Sequence, residues 1–394
     1  MIKVGFLVSL KGMWQGGINY YHNLWSCYAK NPDPEIKLAI FTPHPEEAAD
    51  YVCDAIEVHA WPGNSPQKPK QLLRRAARKI LGYDPVELKV LTRTGIDLLT
   101  HSFIGRQTRV NTLLWQPDFQ HKVLPHFFNA QECAHRDAMV AEVELWGNIL
   151  LSSHSSAHDF RRYYPQLNSV ATHVLHFSNT TSLDVPLEAR ADLNGQYPVE
   201  CPYFFLPNQF WLHKNHGVVL EALRHTRPEI RVICTGPMED RRDPAYVPQF
   251  LEKVKAMGME ERFVCLGVVP YATMVSLMHY SIAVLQPSLF EGWSTSVEEA
   301  KAMQKQIALS DLAVHREQAP ERGVFFSPDS PQDLAMHLDR MYAEFDPALE
   351  ERFVLQRQSR KAQAQRAWIE DFAQIMKTVS GIKNSKDGER HLSK

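Results

Sequence analysis

Cysteine is scarce and scattered in this chain of 394 residues. The six (Cys27, Cys53, Cys133, Cys201, Cys234, Cys265) include no Cys-x-x-Cys pair. That excludes a disulfide-built scaffold and a thiolate metal cluster. Cys234 and Cys265 stand inside apolar runs and read as small buried hydrophobes of a reducing compartment. No hydrophobic run approaches the length needed to cross a bilayer. The first one, after Met1-Ile2-Lys3, is closed by Lys11 and lacks a small-residue cleavage site, so a first strand is expected there. An excess of either charge is also missing, with 43 basic against 45 acidic side chains, which argues against a nucleic-acid binder. The pair His154 and His158 sits in a serine-rich stretch without the glutamate of a zinc-protease helix, so no metal site is expected. No internal repeat stands out.

Core material, by contrast, is plentiful: 44% of the residues are hydrophobic and 10% aromatic, enough for two domains of similar size. Short apolar runs alternate with longer amphipathic stretches, the pattern of parallel α/β architecture. Strands are expected at Val4–Leu10, Lys37–Phe41, Gly95–Leu99 and Asn148–Ser152, with helices at Gly16–Tyr28 and Gln131–Glu144. From Asn179 to Pro202 the chain turns polar and weakly periodic, which marks a boundary. The alternation then restarts, with strands expected at Tyr203–Pro207, Ile230–Thr235, Arg262–Gly267, Ile282–Gln286 and Gln306–Ser310. Helices are expected at Asn215–Arg224, Tyr246–Met257, Tyr271–Ser281 and Ser296–Met303, and a long charged one at Leu349–Met376. The expected domains are thus 1–180 and 181–355, followed by a closing helix over 356–382 and a disordered tail over 383–394. Ligands of two such α/β domains bind beyond the carboxyl ends of the strands, here between the domains.

The strongest chemical signal is Glu291-Gly292-Trp293-Ser294-Thr295-Ser296-Val297-Glu298-Glu299-Ala300, which follows a buried-looking strand and opens a helix. A helix start offers unpaired N–H groups to phosphate or sugar oxygens, and Glu291 and Glu299 face one cleft at different depths. The alternative is structural: Ser294 or Thr295 as N-cap with Glu298 closing a capping box. Upstream, Gln209-Phe210-Trp211-Leu212-His213-Lys214 places an ammonium at a strand end and helix entrance, either a phosphate site or a solvated lysine. The turn holding Gly16 and Gly17 lets backbone approach a phosphate or sugar, and Gly236 closes the strand at Ile230–Thr235. On the other side, Asp118 and His121 lie in Pro117-Asp118-Phe119-Gln120-His121, where they orient or deprotonate an acceptor hydroxyl, or merely cap a turn and pack. His101 is a further cleft candidate.

These motifs, in this order, resemble the retaining family 4 glycosyltransferases, a bacterial polysaccharide-type branch of glycosyltransferase group 1. Glu291 and Glu299 match that family's Glu-x7-Glu motif, with Trp293 for the usual Phe and Ser294 for the second Gly. Lys214 matches the lysine of G-R-L-x-x-x-K, and Gln209 stands where the arginine would be. The resemblance implies a GT-B fold, two Rossmann-like domains facing across a cleft, with the C-terminal helix packing back towards the N-terminal domain. It implies a nucleotide-diphosphate-sugar donor, with Glu291 by the donor sugar, Glu299 on the ribose and Lys214 on the diphosphate. The Gly16-Gly17 loop, Gln209, Gly236, Gly292, Trp293, Ser294, Thr295 and Ser296 complete the implied donor site. Asp118 matches an acceptor-side aspartate, though Pro117 replaces its histidine, as in a subset of bacterial polysaccharide transferases. The implied acceptor is a glycan or lipid-linked glycan of cell-surface polysaccharide such as O-antigen, with no cofactor, no metal and a cytoplasmic setting. Rival readings are a sugar-nucleotide epimerase or phosphorylase, and a non-catalytic nucleotide-sugar-binding protein.

One stretch lies outside these motifs. From Pro66 to Tyr83 there is no acidic residue, but Lys68, Lys70, Arg74, Arg75, Arg78 and Lys79 are present. Over Gln71–Leu81 the apolar residues share one face at helical spacing, which fits either peripheral contact with an anionic membrane or a solvated helix docked by its apolar stripe.

Overall fold

A computed structural model describes residues 1–11, 13, 15–61, 68–102, 110–354 and 357–390. The chain divides into two compact units. The first comprises Met1–Phe119, Ala130–Phe177 and Gln365–Lys394, the second Gln120–Asn129 and Ser178–Ala364. The division falls beside the turn-rich stretch that the sequence marks, and one short loop, Gln120–Asn129, belongs to the second unit.

The first unit is built on a seven-stranded sheet in the order β3-β2-β1-β4-β5-β6-β7. Its strands are β1 (Ile2–Leu7), β2 (Ile36–Thr42), β3 (Ile56–Ala60), β4 (Leu98–Thr100), β5 (Asn111–Gln116), β6 (Asn148–Leu151) and β7 (Ala171–Val174). The second unit holds β8 (Phe204–Leu206), β9 (Val232–Cys234), β10 (Phe263–Cys265), β11 (Val284–Gln286), β12 (Ile307–Ser310) and β13 (Gly323–Phe326), ordered β10-β9-β8-β11-β12-β13. Every pairing between these strands is parallel, and among the described residues helices connect most of them. Parallel strands covered on both faces need continuous apolar runs, and Phe204-Phe205-Leu206 and Val232-Ile233-Cys234 are fully buried accordingly. Each order reverses beside its first strand, at β1/β4 and at β8/β11, where ligands of open α/β sheets bind.

Several elements differ from the sequence expectation. The strand expected at Gly95–Leu99 begins only at Leu98, because Gly95 (φ 67°) is the left-handed cap of a helix over Pro85–Thr94 that the sequence reading misses. Asp84 starts that helix by accepting from the N–H groups of Val86 and Glu87. The first strand stops at Leu7, and the described helices over the stretch expected at Leu349–Met376 are Pro347–Val354 and Arg357–Arg390, on either side of residues outside the described ones. The second of these continues through residues 383–390, where the sequence reading expects a disordered tail; residues 391–394 lie outside the described ones. As expected, the C-terminal helix packs on the first sheet. Phe372 stacks on Phe6 with ring centroids 6.1 Å apart, Asn111 donates to the Val379 carbonyl at 3.2 Å, and Lys377 pairs with Asp33 at 2.9 Å. All six cysteines are free thiols, and no described helix is long and apolar enough to cross a membrane.

Candidate functional site

The candidate site of the second unit grows from the carboxyl ends of β8, β9, β11 and β12. After β8 the chain runs through Asn208 and Gln209 into a tight turn, Leu212–Lys214, and then the helix His216–Leu223. Three backbone anchors fix that turn: Phe210 donates to the Pro237 carbonyl (3.0 Å), Leu212 to Asp240 Oδ2 (3.0 Å), and Leu289 to the His213 carbonyl (2.8 Å). The last of these stitches the β8 loop to the β11 loop. Gly236 is required beside them. At φ 131°, a Cβ there would sit 2.7 Å from the Asn208 carbonyl oxygen, so only glycine lets the β9 end come this close.

The two loops meet at Lys214 and Glu291. Glu291 Oε1 accepts from Lys214 Nζ at 2.6 Å, from Gln286 Nε2 at 2.8 Å and from Ser288 Oγ at 2.6 Å. Gln286 is fully buried at the end of β11, and its Oε1 accepts from Asn208 Nδ2 at 3.0 Å, so one amide ties both loops. Burial alone would raise the Glu291 pKa. The Lys214 charge, then His213, and hydrogen bonds from Lys214 and Ser288 reverse that and hold the carboxyl below its ordinary range. The pair is mostly buried, with side chains 17% and 10% exposed, so removing one partner leaves an uncompensated charge costing about 3–5 kcal/mol. All described donors fall on Oε1. Below the pair, Ser310 Oγ donates to the Ser288 carbonyl (2.6 Å), and the buried His315 ring is held at the Ser310 carbonyl through Nδ1 (2.8 Å).

Glu299 lies in the helix Thr295–Ala302 in a different environment. Its Oε1 accepts from Tyr271 Oη at 3.0 Å and Asn179 Nδ2 at 3.2 Å, both neutral donors. Burial pushes its pKa up to about 7, and these two bonds offset it only in part. Here too the described donors occupy Oε1 alone. At the start of that helix no capping box forms. Ser294 is the N-cap, but its hydroxyl makes no capping bond, and Glu298 Oε1 instead accepts from Gln318 Nε2 (2.9 Å) and Lys301 Nζ (2.9 Å). Gln318 also spans the Ser294 peptide, accepting its N–H at 3.2 Å and donating to its carbonyl at 3.0 Å. The N–H groups of the first turn, at Thr295, Ser296 and Val297, have no acceptor within the helix. Gly292, Trp293, Thr295 and Ser296 are half-buried around this start, with the Lys301 ammonium 5.9 Å over the Trp293 ring, and Gln209 is half-buried on the β8 loop.

The remaining candidates lie outside this network. Gly16 and Gly17 fall in the first turn of the helix Gln15–Lys30 of the first unit; Gly12 and Trp14 of the same motif lie outside the described residues. Asp118, half-buried in the first unit, has its backbone carbonyl held by Gln116 Nε2 at 2.5 Å. Its carboxylate joins burial in raising the pKa of Asp159. His121 belongs to the second unit, in the short helix Gln120–Val123, and is 1% exposed with its ring 6.3 Å from that of Phe128. The serine-rich stretch after Ser152 is a helix start, where Ser153 Oγ accepts from the Ser156 N–H at 2.9 Å. Asn208, His213 and Gln318 lie in stretches that the sequence singles out without a role of their own, while Gln286, Ser288, Asn179 and Tyr271 go unread as site residues. A polar Gln286 closing an apolar strand was a usable signal. Asn179 and Tyr271 carried none, being brought to Glu299 only by folding.

Residues 196–361 match the family model described as glycosyl transferases group 1. No curated protein matches. Among solved structures, the chain is similar to Anabaena HepE in complex with UDP and glucose, at 15% identity and TM-score 0.66, covering 97% of this chain and 100% of that one. A glycosyltransferase from Rickettsia africae aligns at 14% identity and TM-score 0.63, covering 100% and 99%. A trehalose-6-phosphate protein of E. coli bound with UDP-2-fluoro glucose aligns at 12% and 0.64, covering 95% and 99%. The chain therefore has the GT-B fold, two Rossmann-like units each on a parallel sheet, and over residues 196–361 it matches group 1 glycosyltransferases.

Proposed function

We propose that this protein is a retaining glycosyltransferase that moves a hexose or deoxyhexose from a nucleotide diphosphate sugar to a glycan or lipid-linked acceptor. The observation that carries the reading is the Lys214–Glu291 pair at the β8/β11 switch point, with one carboxylate oxygen fixed by three donors and the other left over. Lys214 and the first-turn N–H groups of the helix Thr295–Ala302 bind the donor diphosphate and stabilise the charge that develops as it leaves. Glu291, ionised and immobile, accepts from hydroxyls of the donor sugar through Oε2. Glu299 accepts from the ribose hydroxyls. The Gly16-Gly17 turn approaches the donor phosphates, and Asp118 or His121 orients the acceptor hydroxyl. The acceptor oxygen bonds to the anomeric carbon as the carbon–oxygen bond to the diphosphate breaks, and the hydroxyl proton passes to the departing diphosphate. Attack comes from the face the diphosphate leaves, through an oxocarbenium-like transition state, so configuration is retained. A retaining glycosidase would instead need two carboxylates about 5 Å apart flanking the bond.

UDP accompanies HepE, and UDP-2-fluoro glucose the E. coli protein, which brings a UDP-sugar into the donor panel beside GDP-mannose and dTDP-sugars. The acceptor class, cell-surface polysaccharide, rests on the Pro117–Pro125 resemblance, and the setting would be the cytoplasm. The mechanism draws its charge from Lys214 without a metal. The test is release of nucleoside diphosphate from that donor panel with glycan acceptors, in the presence of a chelator. One donor should support transfer with its configuration kept, and Glu291→Ala should abolish it. An isomerised donor would point to an epimerase, and binding without turnover to a non-catalytic protein; either result defeats the proposal.

A further inference from the structure

The helix Lys68–Leu81 is attached to the first unit the wrong way round for an ordinary amphipathic helix. Its inward contact is a cation. Arg74 Nε donates to Asp84 Oδ2 at 2.5 Å and Arg74 Nη2 to Glu87 Oε1 at 2.9 Å, with Asp84 fully buried. Its leucines point out: Leu72 and Leu73 are each 71% exposed and Ile80 is 79% exposed. Ala76 is exposed between them. At about 100° per residue, positions 72, 73, 76, 77 and 80 share one arc of roughly 140°. The remaining arc holds Lys68, Lys70, Arg74, Arg75, Arg78 and Lys79, with Gln71 and Leu81 among them. Val86, on the next helix, adds a further side chain 45% exposed. Of the two readings of this helix, docking by its apolar stripe does not hold: Asp84 and Glu87 hold it through Arg74, and Leu72, Leu73 and Ile80 stay exposed.

A water-exposed row of leucine and isoleucine beside a block of like charge fits few partners. A second copy of this helix, stripe on stripe, would bring two rows of cations together with no carboxylate between Pro66 and Tyr83 to offset them. An anionic lipid surface answers both features, because acyl chains take the apolar arc and headgroup phosphates take the cations at its borders. We propose that the helix Lys68–Leu81 docks the protein on an anionic membrane surface. The proposal does not rest on the transferase reading.

Co-sedimentation with vesicles tests it, comparing pure phosphatidylcholine with phosphatidylcholine containing phosphatidylglycerol. The full-length protein should pellet with the anionic vesicles only, and raising the salt should release it. The double variant Leu72→Asp/Ile80→Asp should bind at least about tenfold more weakly, with unchanged thermal melting because both side chains are solvent-exposed. Equal pelleting with both vesicle types, no pelleting at all, or a variant that binds like the parent would each overturn the proposal. So would a dimer in sedimentation velocity that the variant dissolves while vesicles leave the protein in solution. Nucleotide binding measured on the same samples should not change, which separates this surface from the donor site.

Discussion

The two sheets place the same topological feature in the two units and use it for different ends. Each order reverses beside its first strand, at β1/β4 in the first unit and β8/β11 in the second. After β4 the chain presents His101, a non-glycine residue at φ 57°, with Phe6, Tyr20 and Trp115 ring centroids 5.3, 5.4 and 5.1 Å away. Both ring nitrogens are tied, Nε2 to Tyr20 Oη (2.7 Å) and Nδ1 to Thr100 Oγ1 (2.9 Å), and burial pushes the His101 pKa down to about 3. After β11 the chain presents Glu291, charged, paired with Lys214 and half-satisfied. The first switch point is packed with aromatic rings against the C-terminal helix, and the second carries a mostly buried ion pair. Fold alone does not say where the chemistry is; the polarity of the residues that close each strand does.

Four substitutions would break or sharpen this contrast. Lys214→Ala should have the largest effect, lowering nucleotide-sugar turnover about a thousandfold, if its charge faces the departing diphosphate as proposed. Steady-state release of nucleoside diphosphate reads it out. Next, Glu291→Gln should lower kcat about a hundredfold while nucleoside diphosphate affinity stays within about tenfold, since the amide keeps an oxygen for Gln286 and Ser288 but loses the ion pair. A comparable loss in affinity alone would place Glu291 on the nucleotide and not on the sugar.

Glu299→Gln should weaken nucleoside diphosphate binding about tenfold at pH 8, as the amide accepts hydroxyls less strongly than a carboxylate. In the parent, affinity should fall as pH drops through about 7, where Glu299 takes up its proton, and the variant should lose that slope. Stability moves the other way. A carboxyl raised from 4.5 to about 7 on folding holds its proton more tightly folded than unfolded, so its contribution declines as pH rises from 4.5 to 7 and stays low above. Glu299→Gln retains an oxygen for Tyr271 and Asn179, so it should gain on the order of 3 kcal/mol over the parent at pH 8 and little at pH 4.5. Urea melts at the two pH values measure it. The smallest effect on function is expected from His101→Ala, which should cost about 1–3 kcal/mol of stability and leave nucleotide affinity unchanged. A lost affinity there would mean that the aromatic switch point is also a site.

Much of the second unit was legible in sequence because its strands are short, fully apolar and cut by turn residues, so β8 to β12 were located within a few residues. The first unit was harder. β5 and β7 are interrupted by polar residues such as Asn111, Thr112 and His173, and the strand expected at Gly95 hides the end of a helix whose capping Asp84 is a local signal. In the site, Lys214, Glu291 and Glu299 stand out because each follows a strand or opens a helix. What could not be read was which neighbours set their charge: the sequence offers Glu298 as a capping-box partner, and folding gives that carboxylate to Gln318. Nor does the basic stretch at Lys68–Leu81 reveal which face it buries, since that depends on Asp84 and Glu87 beyond its end.

The most direct test of the account is calorimetric titration of the protein and of Lys214→Ala with UDP, GDP, dTDP, ADP and CMP. One nucleoside diphosphate should bind well above the others, and the variant should lose at least about tenfold of that affinity. Binding that is absent for every nucleotide, or equal in the parent and the variant, would contradict a donor diphosphate seated at Lys214.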